Sequence, residues 1–228
     1  FAAGYASPPY SGLRVNPLKV PPNKFLEFSP FDLQSIPWTD EGFLVNRENT
    51  FPGKHPYHAA GLYYLQEPSA MAVVEALAPQ PNERILDLAA APGGKTTHLA
   101  ARMHNTGLLI ANEVHPKRVW DLAENIERWG ATNAVITNES PENLAELFGP
   151  IFDRVLVDAP CSGEGLFRKT PLAATEWSEA LVQSCSIRQS AILDQAAKMV
   201  RPGGWLVYST CTFAPQENEL VIARLVDQ

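Results

Sequence analysis

Little in this sequence is basic, sulfur-bearing or continuously apolar. Eighteen Lys and Arg stand against 25 Asp and Glu, giving a formal net charge of −7. So acidic a chain lacks the global phosphate-neutralising surface of a general nucleic-acid binder, so any such partner must be met by a local basic surface. There are three cysteines, Cys161, Cys185 and Cys211. Their odd number and wide spacing exclude a disulfide framework and fit a reducing, cytoplasmic setting. No pair has zinc-ligand spacing and the five histidines form no ligand pair, so no metal site is expected. No apolar run is long enough to cross a bilayer and no signal-peptide pattern is present, so no membrane partner is expected. Internal repeats and low-complexity tracts are missing too.

What is present is 45% hydrophobic sequence over 228 residues, enough for one medium domain and a small appendage. Residues 1–62 are rich in proline and aromatics. "GLRVNPLKV" and "GFLVN" read as strands there, with prolines as breakers. This segment is expected to be a small α/β module. From 63 to 228 strands and helices alternate. A helix is expected near Pro68. Strands follow at Arg84–Leu88, Gly107–Asn112, Ala134–Thr137, Asp153–Asp158 and Trp205–Ser209. Ser140-Pro141-Glu142 is a helix N-cap signature, and a long helix covers roughly Ser178–Val200. Pro202-Gly203-Gly204 is read as the turn into the fifth strand, and a last helix is expected near Pro215. The alternation implies a doubly wound, mostly parallel sheet.

Ligands bind such sheets at the carboxyl ends of the strands. After the first strand of this sheet stands "LAAAPGGKT". Its Gly94-Lys95-Thr96 matches the tail of a phosphate loop. Ala89 replaces the loop's first glycine, and Pro92 has no N–H to offer a phosphate oxygen. Glu113 follows the second strand, where an acid accepts ribose hydroxyls. A glycine turn plus that acid fits an adenosyl ligand, NAD and S-adenosylmethionine alike. Asp158 ends the fourth strand, where a phosphate-loop ATPase holds magnesium, so an ATPase remains an alternative.

Pro160-Cys161 comes shortly after Asp158 in "DAPCSG", and Cys211 lies just past the fifth strand in "YSTCTFAPQENE". The topology would bring both thiols to one crevice. A thiolate beside an adenosyl cofactor suits pyrimidine methylation. Added at carbon 6, it makes carbon 5 nucleophilic, and an acid can manage the proton at nitrogen 3. Cys185 falls mid-helix without a motif and reads as a small core residue.

"DLAAAPGGKT", "DAPCSG" and "YSTCTFAPQENE", with "GLYYLQEPSA" and "GLRVNPLKV", resemble the Sun-type RNA cytosine-5 methyltransferases. Within them the likeness is to the bacterial small-subunit ribosomal-RNA F type. The resemblance implies a class I, Rossmann-like fold with an N-terminal module similar to an RNA-recognition domain. It implies S-adenosylmethionine as methyl donor, RNA as partner and a monomer. It makes Cys211 the nucleophile and Cys161 the residue assisting release, with Asp158 beside the base. The cofactor contacts would fall on Ala89, Ala90, Ala91, Pro92, Gly93, Gly94, Lys95, Glu113, Arg118 and Asp158. Ser140 stands where the family has an aspartate near the adenine, and Asn138 is the substitute considered. A non-catalytic RNA-binding or ribosome-assembly module is the other alternative.

Local RNA contacts are expected at Arg168 and Lys169, after the Pro-Cys loop, and at Arg14 and Lys19. Because the chain opens on Phe1 and stops one helix after the fifth strand, it is expected to be part of a longer protein. "WLVYSTCT" is dense in β-formers and is expected to be buried on both faces.

Overall fold

The computed structural model describes residues 10–46 and 50–227; Ser7, Pro8 and Pro9 of the proline-rich opening lie outside them. The first sheet contains β1 (Gly12–Val15), β2 (Leu33–Ser35), β3 (Gly42–Val45) and β4 (Tyr63–Leu65), in the order β2-β3-β1-β4. Every pairing is antiparallel. Two short helices accompany it, α1 (Pro22–Phe28) and α2 (Pro56–Ala59), and proline occupies the first turn of each, where its missing N–H costs nothing. Leu13, Val15, Phe25, Phe43, Val45 and Tyr63 form the core of this sheet. The expected division between residues 62 and 63 therefore cuts this sheet: β4 pairs with β1, with Leu13 opposite Leu65.

The second sheet holds β5 (Arg84–Asp87), β6 (Leu108–Asn112), β7 (Ala134–Thr137), β8 (Phe152–Asp158) and β9 (Val200–Ser209). Its order is β7-β6-β5-β8-β9 and all four pairings are parallel. The order reverses at β5, which puts a crevice at the carboxyl ends of β5 and β8. Helices cover both faces. On one lie α3 (Pro68–Leu77), α4 (Gly94–Arg102) and α5 (Pro116–Trp129); Val74, Leu77, Leu99 and Met103 pack there on Ile85, Leu109 and Leu156. On the other lie α6 (Pro141–Phe148), α8 (Glu179–Met199) and α9 (Glu219–Val226); Leu144, Leu193, Met199 and Val221 pack on Leu86, Ile110, Val155 and Val157. Neighbouring residues Val155, Leu156 and Val157 thus serve opposite faces, as the pleat requires. A short α7 (Pro171–Glu176) lies between β8 and α8.

Three local expectations need correction. The Pro202-Gly203-Gly204 stretch is not a turn before the strand. Helix α8 runs straight into β9, and these residues form an irregularity inside it, between the pairs Phe152–Val200 and Arg154–Trp205. The last helix starts at Glu219, because Pro215 to Asn218 are taken up by hydrogen-bonded turns. Nor is β9 buried on both faces: Trp205 is 61% exposed, and Leu206, Val207 and Tyr208 are half-buried. Among the described residues β9 pairs only with β8, so its dense β-forming run sits at a sheet edge.

Candidate active site

The turn after β5 is held from several sides. Asp87, at the end of β5, is fully buried and accepts a hydrogen bond from Thr96 Oγ1 in α4 at 2.7 Å. Ala90 N donates to Asn112 O at 2.8 Å, Gly93 N to Ala90 O at 2.8 Å, and Asn125 Nδ2 to Pro92 O at 2.8 Å. Gly93 takes a φ of +108°, a left-handed conformation that side chains resist. The start of α4 is pinned by a residue of the first sheet. Arg14, without solvent exposure, donates to Gly94 O at 3.0 Å, Thr97 Oγ1 at 2.8 Å and Gln66 Oε1 at 2.8 Å. Its guanidinium lies 4.4 Å from the centre of the Trp129 ring. Burial lowers its pKa to about 9.

This corrects the expectation of Arg14 as a surface contact for RNA: it is internal cement. Lys19 is exposed, but its Nζ donates to Ala60 O at 2.8 Å and Arg128 O at 2.7 Å, which ties the two halves of the molecule rather than offering a cation outward.

A cavity of about 220 Å³ opens over the turn. Its lining includes Ala89, Ala90, Ala91, Pro92, Gly94, Lys95 and Asp158 from the second sheet. Tyr64, Gln66 and Glu67 close it from β4 and the segment after it. Lys95 Nζ meets Asp158 Oδ2 at 2.6 Å, and Ser209 Oγ donates to Asp158 Oδ1 at 2.7 Å. Glu113, 2% exposed, directly follows β6; its Oε1 accepts from His115 N at 2.8 Å and its Oε2 lies 3.1 Å from Arg118 Nη1. Arg118 Nη2 also donates to Ala91 O at 2.5 Å. Arg118 thus reaches the turn through its backbone and Glu113 only through Arg118, and neither is part of the cavity lining. Burial pushes the Asp87 carboxyl up to about 7, reinforced by the charges of Asp158 and Glu113 and opposed by Thr96 and Lys95. One oxygen of Asp87 and one of Glu113 are buried without a hydrogen bond.

Ser140 accepts a hydrogen bond from Asn143 N and caps α6, while Asn138 Nδ2 donates to Glu113 O at 2.5 Å. Both are therefore occupied with local structure.

The two cysteines meet at the adjacent ends of β8 and β9. Cys161 Sγ and Cys211 Sγ are 3.1 Å apart, and Cys211 N donates to Cys161 Sγ at 3.3 Å. Cys185 is buried in α8 and makes no contact with the pair in its hydrogen bonds, though the charge of Cys161 reaches it. The hydrogen bond with Cys211 holds the Cys161 thiol down at about 7 against the effects of burial and of the Glu217 charge, with backbone N–H groups of Cys211 and Gly163 adding to it. The same bond, together with burial, pushes the Cys211 thiol up. Either sulfur can donate in this contact, and the shifts favour the proton on Cys211 and the negative charge on Cys161. The loops interlock closely: Gly165 N donates to Cys211 O at 2.7 Å, and a Cβ on Gly165 would sit 2.7 Å from that oxygen, so only glycine fits.

A larger cavity, about 410 Å³, adjoins the first through Leu65, Gln66 and Glu67 and continues to Ser11, Gly12, Arg168 and Lys169. Lys169 is ion-paired to Glu67.

A second polar cluster escaped sequence reasoning. Glu41, Glu75 and His98 place ligand-type atoms within 4.8 Å of one another between the two sheets. Arg102 lies 3.8 Å from Glu41 and 3.4 Å from Glu75, and Arg14 also acts on both carboxylates. With two guanidinium groups already balancing two carboxylates, the cluster is an ion-pair network rather than a cation site. No short-range spacing signals it, since its members come from β3's approach, α3 and α4.

A family model described as 16S rRNA methyltransferase RsmB/F matches residues 74–228, and one described as the N-terminal domain of 16S rRNA methyltransferase RsmF matches residues 1–68. Ribosomal RNA small subunit methyltransferase F of Escherichia coli (strain SE11) is 42% identical, over 97% of this chain and 48% of its own length. The protein of that name from Shigella boydii serotype 4 gives the same figures. The chain thus spans about half the length of the curated relatives it matches. Among solved structures, a methyltransferase homolog from Pyrococcus horikoshii is 36% identical, with a TM-score of 0.87 over 100% of this chain and 72% of that one. NSun6 from Pyrococcus horikoshii, solved with SFG, shares the fold at 22% identity and a TM-score of 0.87, over 98% of this chain and 82% of its own. Set beside a parallel sheet in the order β7-β6-β5-β8-β9 and a glycine turn at its switch point, these matches identify the chain as a member of the RsmB/F family of 16S rRNA methyltransferases.

Proposed function

We propose that this chain methylates carbon 5 of cytosine in RNA of the small ribosomal subunit, through a covalent cysteine–cytosine adduct. The observation that carries the reading is the contact of two thiols, 3.1 Å apart, beside a cavity built on a glycine turn. Bound over Ala89–Lys95, S-adenosylmethionine would supply an electrophilic methyl group. SFG, with which NSun6 was solved, is an analogue of it. Glu113, Arg118 and Asp87 hold the turn and its acceptors for that ligand. Asp158, fixed by Lys95 and Ser209, stands between the cavity and the cysteines and faces the base.

The cysteines divide the proton work. Cys211 adds to carbon 6 of the cytosine, and its proton passes across 3.1 Å to the Cys161 thiolate. Cys161, with a pKa of about 7, then releases that proton to water. Once carbon 5 carries the methyl group, Cys161 takes the remaining carbon-5 proton and Cys211 leaves as thiolate. Passing that proton back to Cys211 restores the resting pair. The resting pair has its thiolate on Cys161, whereas the nucleophile is Cys211; a proton shared between adjacent sulfurs reconciles the two.

RNA enters along the larger cavity, past Arg168 and Lys169. We further propose division into an N-terminal RNA-recognition-like module and a catalytic domain, action as a monomer, and a cytoplasmic location. A phosphate-loop ATPase is not favoured, because Pro92 spoils the anion nest and Lys95 is engaged by Asp158. The test is transfer of labelled methyl groups to ribosomal RNA, with bisulfite mapping of the product and a Cys211→Ala control. Label in adenine, or undiminished transfer by the control, would overturn the reading.

A further inference from the structure

The stretch "APQENE" after Cys211 contains Glu217, a carboxylate with no solvent exposure. It lies where the chain turns from β9 into α9, and Tyr208 Oη donates to its carbonyl at 2.7 Å. Its side chain reaches back under both cysteine loops. One oxygen, Oε2, accepts Ser162 N at 3.0 Å and Gln189 Nε2 at 2.8 Å; the other accepts the Ser162 hydroxyl. Ser162 directly follows Cys161. Its hydroxyl lies 3.0 Å from Thr212 Oγ1, on the residue directly after Cys211. Thr212 Oγ1 in turn donates to Glu164 Oε2 at 3.0 Å and accepts from Ala214 N at 3.2 Å. Gln189, on α8, also donates to Pro160 O at 3.0 Å, on the residue before Cys161. The carboxylate is thus the node at which β8's loop, β9's loop and α8 are joined.

We propose that Glu217 is a positioning residue that holds the loops of Cys161 and Cys211 in register, so that the backbone N–H groups and the Cys211 thiol converge on the Cys161 sulfur. It touches neither sulfur in the hydrogen-bond network and acts through Ser162 and Thr212. Burying a carboxylate without a cation among its hydrogen-bond partners is costly, and three donated hydrogen bonds are arranged to offset it. Such an expense is understandable where loop geometry must be fixed to tenths of an ångström. The inference rests on the two-thiol reading above only for its meaning in catalysis.

The network also predicts which substitution rescues. In Glu217→Gln the side-chain oxygen can take the Oε2 position and keep Ser162 N and Gln189. The amide nitrogen then donates to Ser162 Oγ, whose own proton turns to Thr212 Oγ1; Thr212 already donates onward to Glu164. Every donor keeps an acceptor. Glu217→Ala breaks all three bonds.

The experiment is site-resolved alkylation of the full chain by iodoacetamide as a function of pH, read by peptide mass for Cys161 and Cys211 separately. It needs neither RNA nor cofactor, so its outcome is independent of whether the chain methylates cytosine. The groups near the sulfurs that titrate or carry charge are Asp158, Lys95, Tyr208, Cys185 and Glu217 itself, and all but Glu217 are left in place. In the wild type, Cys161 reactivity should rise through pH about 7. Both variants remove a charge that raises the Cys161 pKa, so they are compared with each other. In Glu217→Ala the rise should lie toward the ordinary thiol range, cutting Cys161 reactivity at pH 7 on the order of tenfold relative to Glu217→Gln, while Glu217→Gln, which keeps the bonds, has its rise at or below the wild-type pH. Ser162→Ala, which removes one bridge and leaves the fold's carboxylate bound, should shift the profile in the same direction by less. Coincident Cys161 profiles in folded Glu217→Ala and Glu217→Gln overturn the proposal. If Glu217→Ala does not fold, an unmoved Ser162→Ala profile overturns it.

Discussion

Asp87 has no exposure; Thr96 bonds to one of its oxygens and the other has no hydrogen-bond partner among the described residues. Burial raises its pKa to about 7. The sign of the consequence follows from linkage. Between pH of about 4, where the unfolded chain loses this proton, and about 7, where the folded chain does, stability falls as pH rises, by at most about 4 kcal/mol. Glu41, Glu75 and Asp153, with lowered pKa values, push the opposite way, so the comparison must be made against a variant. Asp87→Asn should remove the falling component, making the protein relatively more stable at pH 8 than at pH 5 when urea midpoints are compared with wild type. Identical pH dependence in both proteins would discredit the raised pKa. Glu113→Ala should weaken S-adenosylmethionine by about 1–3 kcal/mol in calorimetry, the cost of charge-assisted hydrogen bonds left unmade; unchanged affinity would remove Glu113 from the site. For the thiols, Cys161→Ala should leave an RNA–protein adduct that survives denaturing electrophoresis: without Cys161 the Cys211 thiol is no longer pushed up by it and can lose its proton to water and attack, while the carbon-5 proton has lost its acceptor. Normal turnover by that variant would end the assignment.

At the scale of elements, Arg14 decides how β1 meets α4. Arg14→Leu keeps most of the volume but strands Gln66 Oε1 and removes two bonds from Gly94 O and Thr97 Oγ1. A loss of roughly 2–4 kcal/mol is expected, seen as a lower thermal midpoint together with weaker cofactor binding. A stable variant with weak cofactor binding would instead make Arg14 part of the ligand site. The sequence made the five parallel strands legible because each is a short apolar run punctuated by glycine or proline, and the helix starts at Pro68, Pro116 and Pro141 because proline marks a first turn. Both cysteines, the glycine turn and Glu113 were legible from their places after strands. Arg14 was not: in "GLRV" a charged residue between Leu13 and Val15 reads as the solvent face of a strand, and only packing against Trp129 and α4 makes that face internal. Strand β4 was not either, because "YYL" is too short to announce its pairing with β1, 48 residues or more away. Glu217 stood inside a motif quoted for its cysteine, and nothing in local spacing says that its carboxylate turns inward.

Across the whole molecule the charge is −7, so any grip on RNA must come from a few placed cations. Arg168 and Lys169 line the large cavity that adjoins the one over the glycine turn. Replacing both with alanine should weaken RNA binding and lower the slope of log affinity against log salt by up to about 2. A slope that does not change would move the RNA to another face of the protein.

The cavity over the glycine turn has walls from both sheets, with Tyr64 and Gln66 facing Ala89 to Lys95. Tyr64 and Gln66 come from β4 and its exit, and Arg14 of the same sheet grips the first turn of α4. The N-terminal part is therefore not a detachable adaptor. A domain trimmed to begin at Pro68 would keep all five parallel strands and both thiols, yet it would open the ligand chamber on one side and release its floor. Portability ends there: in engineered fusions or domain exchanges, the unit to move is the two sheets together.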